Sequence, residues 1–196
     1  RYLNAHGVMA AGMKPLASGC ERTPDGRLRN EDALLIRDAS ALELPYELVN
    51  PFPFEPPVAP HIAAARAGVV IDMETILERF NMIADQADCV IVEGVGGWEV
   101  PVDEDAGMPD LAAALGLPVI LVVGLRLGCI NHALLTAQAT RARGLHLAGW
   151  VANRVETSVD EEQAVIEAIA NRIGCPMLGN IHHNQQEFSR AFSLQL

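Results

Sequence analysis

The sequence predicts a single α/β domain built on a doubly wound, mostly parallel sheet. Three observations predict it. Short, continuously apolar runs recur along the chain, and segments with helical spacing separate them. The chain has 196 residues, half of them hydrophobic, enough for one sizeable core. Apolar runs without polar alternation mark strands covered on both faces. Their alternation with helices favours right-handed crossovers between parallel strands.

The first run, Val8–Met13, reads as a buried strand, with a loop from Pro15 to Gly26 after it and a helix from Asp32 to Ala39. Asn50-Pro-Phe-Pro-Phe-Glu-Pro-Pro57 then breaks the pattern, because its prolines exclude a central strand or a helix interior. Asp72 to Gln86 carries Ile76, Leu77, Phe80 and Ile83 at helical spacing. Cys89–Val92 is the second strand, stopped by Gly94-Val-Gly-Gly97. Pro118–Gly124, rich in β-branched residues, is the third, and a helix from Asn131 to Arg143 follows it. Leu147–Ala152 is the fourth strand. The helix from Asp160 to Ile173 has acidic residues near its N-terminus, where the dipole favours them, and Val165, Ile166 and Ile169 along one side. Pro176–Gly179 with Ile181 makes a short fifth strand. No internal repeat and no dividing linker interrupts 1–196.

Composition removes several classes of function. With 14 Lys+Arg against 25 Asp+Glu, the formal charge of −11 argues against nucleic-acid and anionic-membrane surfaces, which need clustered cations. Cys20, Cys89, Cys129 and Cys175 form no C-x-x-C pair, so neither a zinc ribbon nor a dithiol motif is signalled. Cys89, inside an apolar run, reads as a small core residue. No apolar stretch reaches the ~18 residues of a membrane span, and no secretory leader opens the chain. A cytoplasmic protein is expected.

In open α/β sheets, ligands sit beyond the carboxyl ends of the strands, and three loops leave strands there. Lys14, with Pro15 stiffening its turn, can reach a phosphate or carboxylate; alone, it equally suits a solvated lysine. Glu93 followed by Gly94-Val95-Gly96-Gly97 can hold a hard cation while the backbone approaches a phosphate, or it caps a tight glycine turn. Asp32 supplies a second oxygen ligand or simply serves the helix dipole. Gly128-Cys129-Ile130-Asn131-His132 opens a helix whose N–H groups can bind an anion, with Gly128 as turn and Asn131 as N-cap in the plainer reading. Asn153 can read an amide-like ring edge. His182-His183 lacks the i, i+4 spacing of a helical metal pair.

Five blocks, taken in order, resemble the ATP-dependent dethiobiotin synthetases. They are Gly12-Met-Lys14-Pro-Leu-Ala-Ser18-Gly19, Leu28-Arg-Asn-Glu-Asp32-Ala-Leu and Val92-Glu93-Gly-Val-Gly-Gly-Trp98, then Pro118–Gly124 with Leu127-Gly-Cys-Ile-Asn-His-Ala133, and Leu147-Ala-Gly-Trp-Val-Ala-Asn153. The likeness runs to about Ile181. His182-His183-Asn184 then stands where that family has a proline-led adenine loop. No G-x-x-x-x-G-K-[ST] phosphate loop occurs, and Arg1–Gly7 resembles the tail of the helix that follows one. The resemblance therefore implies a P-loop NTPase-like fold. It also implies that this chain lacks the first strand, the phosphate loop and most of the first helix, with an unpaired sheet edge beside Val8–Met13.

The resemblance further implies an ATP- and Mg²⁺-dependent ring-closing ligase of biotin biosynthesis. Its substrates would be 7,8-diaminononanoate, CO2 and ATP, joined through a carbamate and a carbamic-phosphoric anhydride. Lys14 would stabilise the reacting anions and Ser18 would bind substrate. Asp32 and Glu93 would hold Mg²⁺ at the nucleotide. Gly94, Val95 and Gly96 would offer N–H groups, with Asn153 and Arg154 as further nucleotide contacts. A homodimer is implied, in which Cys129, Ile130 and Asn131 cap the carboxylate of the partner's substrate and Ala133, Leu134, Leu135 and Ala137 face the symmetry mate. A partitioning-type ATPase switch would want a basic patch or terminal amphipathic helix, and neither is visible. An amidotransferase-linked ligase needs a glutaminase domain for which 196 residues leave no room. A catalytically inactive binding module is the reading if the chain naturally starts at Arg1.

Overall fold

A computed structural model of the chain describes residues 1–157 and 160–182. His183 lies outside the described residues. The fold is mixed α/β with parallel strands, in two compact units, Arg1–Leu115 and Gly116–Leu196.

In the first unit, a one-turn helix α1 (Tyr2–Ala5) precedes β1 (Ala10–Met13), all four residues of which are buried. Two-residue strands β2 (Leu16–Ala17), β3 (Glu21–Arg22) and β4 (Leu28–Arg29) shape the following loop. α2 (Glu31–Ala39) starts at Asn30, whose side chain accepts a hydrogen bond from the Ala33 N–H as an N-cap should. The one-turn α3 (Tyr46–Val49) leads into β5 (Phe52–Pro53), which pairs in parallel with β2. α4 (Pro60–Ala67) has proline at its first position and ends on Gly68 at φ 64°, a left-handed conformation that costs glycine little. α5 (Met73–Ala84) is capped by Asp72 and buries Ile76 and Ile83 completely, each contributing about 1.5–3 kcal/mol. β6 (Cys89–Val92) pairs in parallel with β1, Met13 opposite Val92, and α6 (Met108–Leu115) closes the unit.

The second unit is a parallel sheet of β7 (Val119–Gly124), β8 (Leu147–Asn153) and β9 (Met177–Ile181), in that order. α7 (Cys129–Ala142) and α8 (Glu162–Ile173) cover it. Trp150, Leu125, Ile169 and Ile173 are fully buried at its centre. The small residues Cys129, Ala133 and Ala137 bring α7 close to that core.

Several expectations need correcting. α4 and α6 are helices where none was expected. In α4 the preceding prolines mask the start, although Pro60 occupies the one position where proline favours a helix. The proline-rich segment holds no central strand, as expected; β5 within it is a two-residue strand that pairs with β2 alone. α7 starts at Cys129, so Gly128 and not Asn131 is its N-cap. Ala133 and Ala137 are buried in the unit's own core and Leu134 packs half-buried against it, so of the proposed intersubunit face only Leu135 remains, 56% exposed. Cys89 is half-buried rather than core.

The both-faces-covered reading holds for β1 and for most of β8, but not for β6 and β7. Ile91, Ile120 and Val122 stand exposed there, because an apolar run reports that a strand can be buried, not what lies against it. Among the described residues, β1 pairs with β6 alone, and its other edge is met by the Asn4 side chain at the Ala10 N–H, the Ala41 N–H at the Ala10 carbonyl and Ser40 Oγ at the Gly12 N–H. No helix of the described residues is long and apolar enough to cross a membrane.

β1 and α2 approach closely at Gly12. A Cβ there would overlap the Ile36 side chain, while the Gly12 N–H donates to Ser40 Oγ at 3.0 Å. Gly12→Ala should therefore destabilise the protein by about 1–3 kcal/mol, through overpacking alone. Urea unfolding checks this, and an unchanged midpoint would show that α2 yields freely.

Candidate functional site

The site is built where β1 and β6 end side by side. The ladder continues one step beyond the strands, with the Glu93 N–H donating to the Met13 carbonyl at 2.8 Å. Lys14 and Glu93 therefore leave the sheet at the same level on neighbouring parallel strands. Lys14 Nζ donates to Glu93 Oε1 at 2.5 Å and to the Gly94 carbonyl at 3.3 Å, and it lies 3.6 Å from Asp32 Oδ2. Asp32 reaches this point because Asn30 starts α2 there, placing Asp32 in the first turn.

Lys14 is only 5% exposed, whereas the carboxylates of Asp32 and Glu93 face solvent with side chains 60% and 49% exposed. Burying one ammonium is tolerable because two carboxylates and a carbonyl surround it. Both carboxylate oxygens lie within 3.6 Å of one nitrogen, so their separation cannot exceed the sum of the two distances. That is under the roughly 8 Å that one hard cation and its water would span. Oxygen ligands with open solvent access fit Mg²⁺, which keeps several waters and shares its site with phosphate oxygens. Among the described residues there is no cluster of three or more His, Cys, Asp or Glu that could hold a metal.

The glycine turn after Glu93 is conformationally demanding. Gly96 has φ 68°, and a Cβ on it would lie 2.8 Å from Val100 Cγ2. Among the described residues, none of the N–H groups from Gly94 to Gly97 donates to a backbone or side-chain acceptor, so the turn presents donors suited to an anion. Ser18 Oγ is buried without a hydrogen-bond partner, an orphan polar atom that a ligand group could satisfy. Cys20, two residues on, is buried. Burial pushes its thiol up, against the opposing effects of the hydrogen bond to Phe54 and the charge of Lys14.

The remaining expected residues belong to the second unit. The Cys129 N–H donates to the Arg126 carbonyl at 3.0 Å, which leaves Ile130 and Asn131 as the first-turn donors of α7. Asn153 ends β8, its carbonyl accepting from the Leu125 N–H at 2.8 Å. Arg154 is ion-paired with Glu162 in the first turn of α8, an arrangement not foreseen from the sequence. Also unforeseen in the first unit is a set of buried polar groups, Asn30, Tyr46 and Asn50, packed behind Lys14. Tyr46 and Asn50 stand at i, i+4 spacing, which was their one legible signal.

Comparison with known proteins finds relatives over most of the chain. An AAA domain family model matches residues 1–187. An ATP-dependent dethiobiotin synthetase BioD of Aromatoleum aromaticum is 51% identical over 177 residues, covering 90% of this chain and 78% of that protein. The protein of the same name from Xanthomonas oryzae pv. oryzae is 48% identical over 179 residues, covering 91% and 80%. That from Aeromonas hydrophila is 46% identical over 178 residues, covering 90% and 78%. The chain belongs to the dethiobiotin synthetase family. That family consists of ATP-dependent ligases, and Lys14, Asp32 and Glu93 converge at a strand-end position suited to such chemistry.

Burial raises both the Cys20 thiol and the Tyr46 phenol above their ordinary values. A group whose folded value is raised contributes stability that is present below its unfolded value, about 8.5 for Cys and about 10 for Tyr, and lost as pH rises through the folded one. Burial raises the Cys175 thiol as well, so urea midpoints should fall on the alkaline side and Cys20→Ala should make that fall shallower. A midpoint flat to pH 11 would contradict the assignment.

Proposed function

We propose that this chain performs the ATP-dependent closure of a cyclic urea, converting 7,8-diaminononanoate and CO2 to dethiobiotin in the cytoplasm. The observation that carries the reading is the buried Lys14 ammonium between Glu93, Asp32 and the Gly94 carbonyl, in a chain of this family.

One substrate amine adds to CO2, losing a proton and forming a carbamate. A carbamate oxygen takes the γ-phosphoryl group of ATP, releasing ADP. The second amine then attacks the carbamoyl carbon, the ring closes, and phosphate leaves with the C–O bond. None of these steps needs a protein nucleophile; alignment and charge neutralisation dominate. Lys14 is placed to stabilise the carbamate and the migrating phosphoryl oxygens. Ser18 Oγ gains in substrate the partner it lacks among the described residues. Gly94, Val95 and Gly96 direct N–H groups to phosphate oxygens. Asp32 and Glu93 would hold Mg²⁺, whose chemistry there is to neutralise phosphate charge. The reading leaves the cradle of the β- and γ-phosphates to residues outside this sequence, which carries no G-x-x-x-x-G-K-[ST].

Labelled bicarbonate tests the reaction. The full-length protein should incorporate acid-stable label with one ADP released per product, and ADP release without incorporation would overturn the reading. Lys14→Ala should lower kcat/KM by about 10²-fold or more, because a positioned cation acts on charge that develops in the transition state. Lys14→Arg should not restore full activity, since a planar fork replaces a compact charge. Glu93→Gln should impair ATP turnover more than binding of the amine substrate. Near-normal turnover in Lys14→Ala would leave the lysine purely structural.

The same proposal includes a homodimer whose substrate carboxylate is held by the partner's α7 N-terminus, through the Ile130 and Asn131 N–H groups and the Asn131 side chain. The exposed Asn131 and the 56% exposed Leu135 support it. The helix dipole would add about 0.3–1 kcal/mol there. Mixing Lys14→Ala with Asn131→Ala subunits should regenerate activity, because one hybrid site then carries neither lesion. Two inactive parents that remain inactive after verified exchange would confine each site to one chain.

A further inference from the structure

Lys14 is held by its main chain as firmly as by its side chain. Its N–H donates to the Val49 carbonyl at 2.9 Å, and its carbonyl accepts from Asn50 Nδ2 at 2.6 Å. Asn50 Oδ1 in turn accepts from the Tyr46 hydroxyl at 2.9 Å, and that hydroxyl accepts from the Asn30 N–H at 2.8 Å. Asn30 is the N-cap of α2, its side chain accepting from the Ala33 N–H at 3.2 Å, and Asp32 sits between them in the same turn. Every donor in this chain points from α2 toward Lys14, an arrangement in which each bond polarises the next. Asn50 is 1%, Tyr46 4% and Asn30 8% exposed, so water is no substitute for any of these bonds.

We propose that the Tyr46 hydroxyl is a positioning group of the site, fixing the end of β1 that carries Lys14 against the first turn of α2 that carries Asp32. The 3.6 Å between Lys14 Nζ and Asp32 Oδ2 joins residues far apart in sequence, on separate elements. Tyr46 links the two ends that carry them, while Gly12 meets Ile36 and Ser40 farther along the same elements. The Arg29 guanidinium carbon lies 4.1 Å from the centre of the Tyr46 ring and helps to seat it. Burial holds the phenol above its ordinary value, so at neutral pH it keeps the proton it donates. The proposal rests on the reading of Lys14 and Asp32 as the groups that act on the reacting anions.

The full-length protein is compared with Tyr46→Phe, Lys14→Ala and the double variant, by labelled-bicarbonate turnover and by thermal unfolding. Tyr46→Phe keeps the ring and removes the hydroxyl. It should lower kcat about tenfold, the worth of one well-placed hydrogen bond, and leave the KM for ATP within about twofold. In the Lys14→Ala background, the same substitution should change kcat by less than about twofold, because its effect passes through the lysine. A role in folding alone would reduce activity by the same factor in both backgrounds, and that result overturns the proposal. So does an undiminished kcat in Tyr46→Phe while Lys14→Ala is inactive, a result that leaves the site reading intact. Normal turnover in Lys14→Ala removes the site reading and the proposal together. Hydrogen exchange on the unmodified protein gives a measurement that needs no variant to fold. The Lys14 and Asn30 amides should open as one unit, with protection factors within about threefold, and a freely exchanging Asn30 amide would break the chain at Tyr46.

Discussion

A buried ammonium needs anions, and the first unit is organised around meeting that need for Lys14. β1 and β6 pair in parallel so that Lys14 and Glu93 emerge together, and α2 begins where Asp32 can reach the same nitrogen. Each choice is local: Asn30 caps the helix, Gly12 lets it lie close to the strand, and the glycines after Glu93 turn the chain back so that a carbonyl faces Lys14. If one carboxylate were removed, the ammonium would still be enclosed but poorly compensated, which is the expensive half of any buried ion pair.

The polar groups behind the lysine act in the same direction. Tyr46 and Asn50 neither touch solvent nor join the carboxylates, yet they hold the main chain from which Lys14 projects. Polar side chains this deeply buried need their bonds fully met, and here each meets its neighbour in a single line. A rigid main chain leaves the long, flexible lysine side chain fewer ways to miss its target.

The strand-end residues were readable in the sequence because their signals are local: an apolar run, then Lys14-Pro15 or Glu93-Gly94, at the position where α/β sheets bind ligands. Asp32 was readable as an acid at the start of an expected helix; it stands two residues after the capping Asn30. Tyr46 and Asn50 were not. α3 is a single turn with no periodicity to detect, and the bond that matters joins Asn50 to a carbonyl 36 residues away. α4 hid behind prolines that the sequence pattern treats as breakers, although one of them starts it. The exposed faces of β6 and β7 escaped notice because Ile91 and Val122 have the composition of covered residues; exposure belongs to the neighbours, not to the run.

The placement of Lys14 also bears on ionic discrimination. With its ammonium against two carboxylates, the pocket carries its own monovalent counterion, tethered by a side chain and therefore present at very high local concentration. Sodium or potassium could enter only by exchanging one unit positive charge for another. It would have to shed its own hydration while the lysine, still attached, competes for the same oxygens. A divalent ion adds a second charge to the exchange, and its gain in Coulomb energy roughly doubles at equal distance. On the proposed role of Asp32 and Glu93 as ligands of a divalent ion, valence rather than radius would then separate that ion from sodium and potassium.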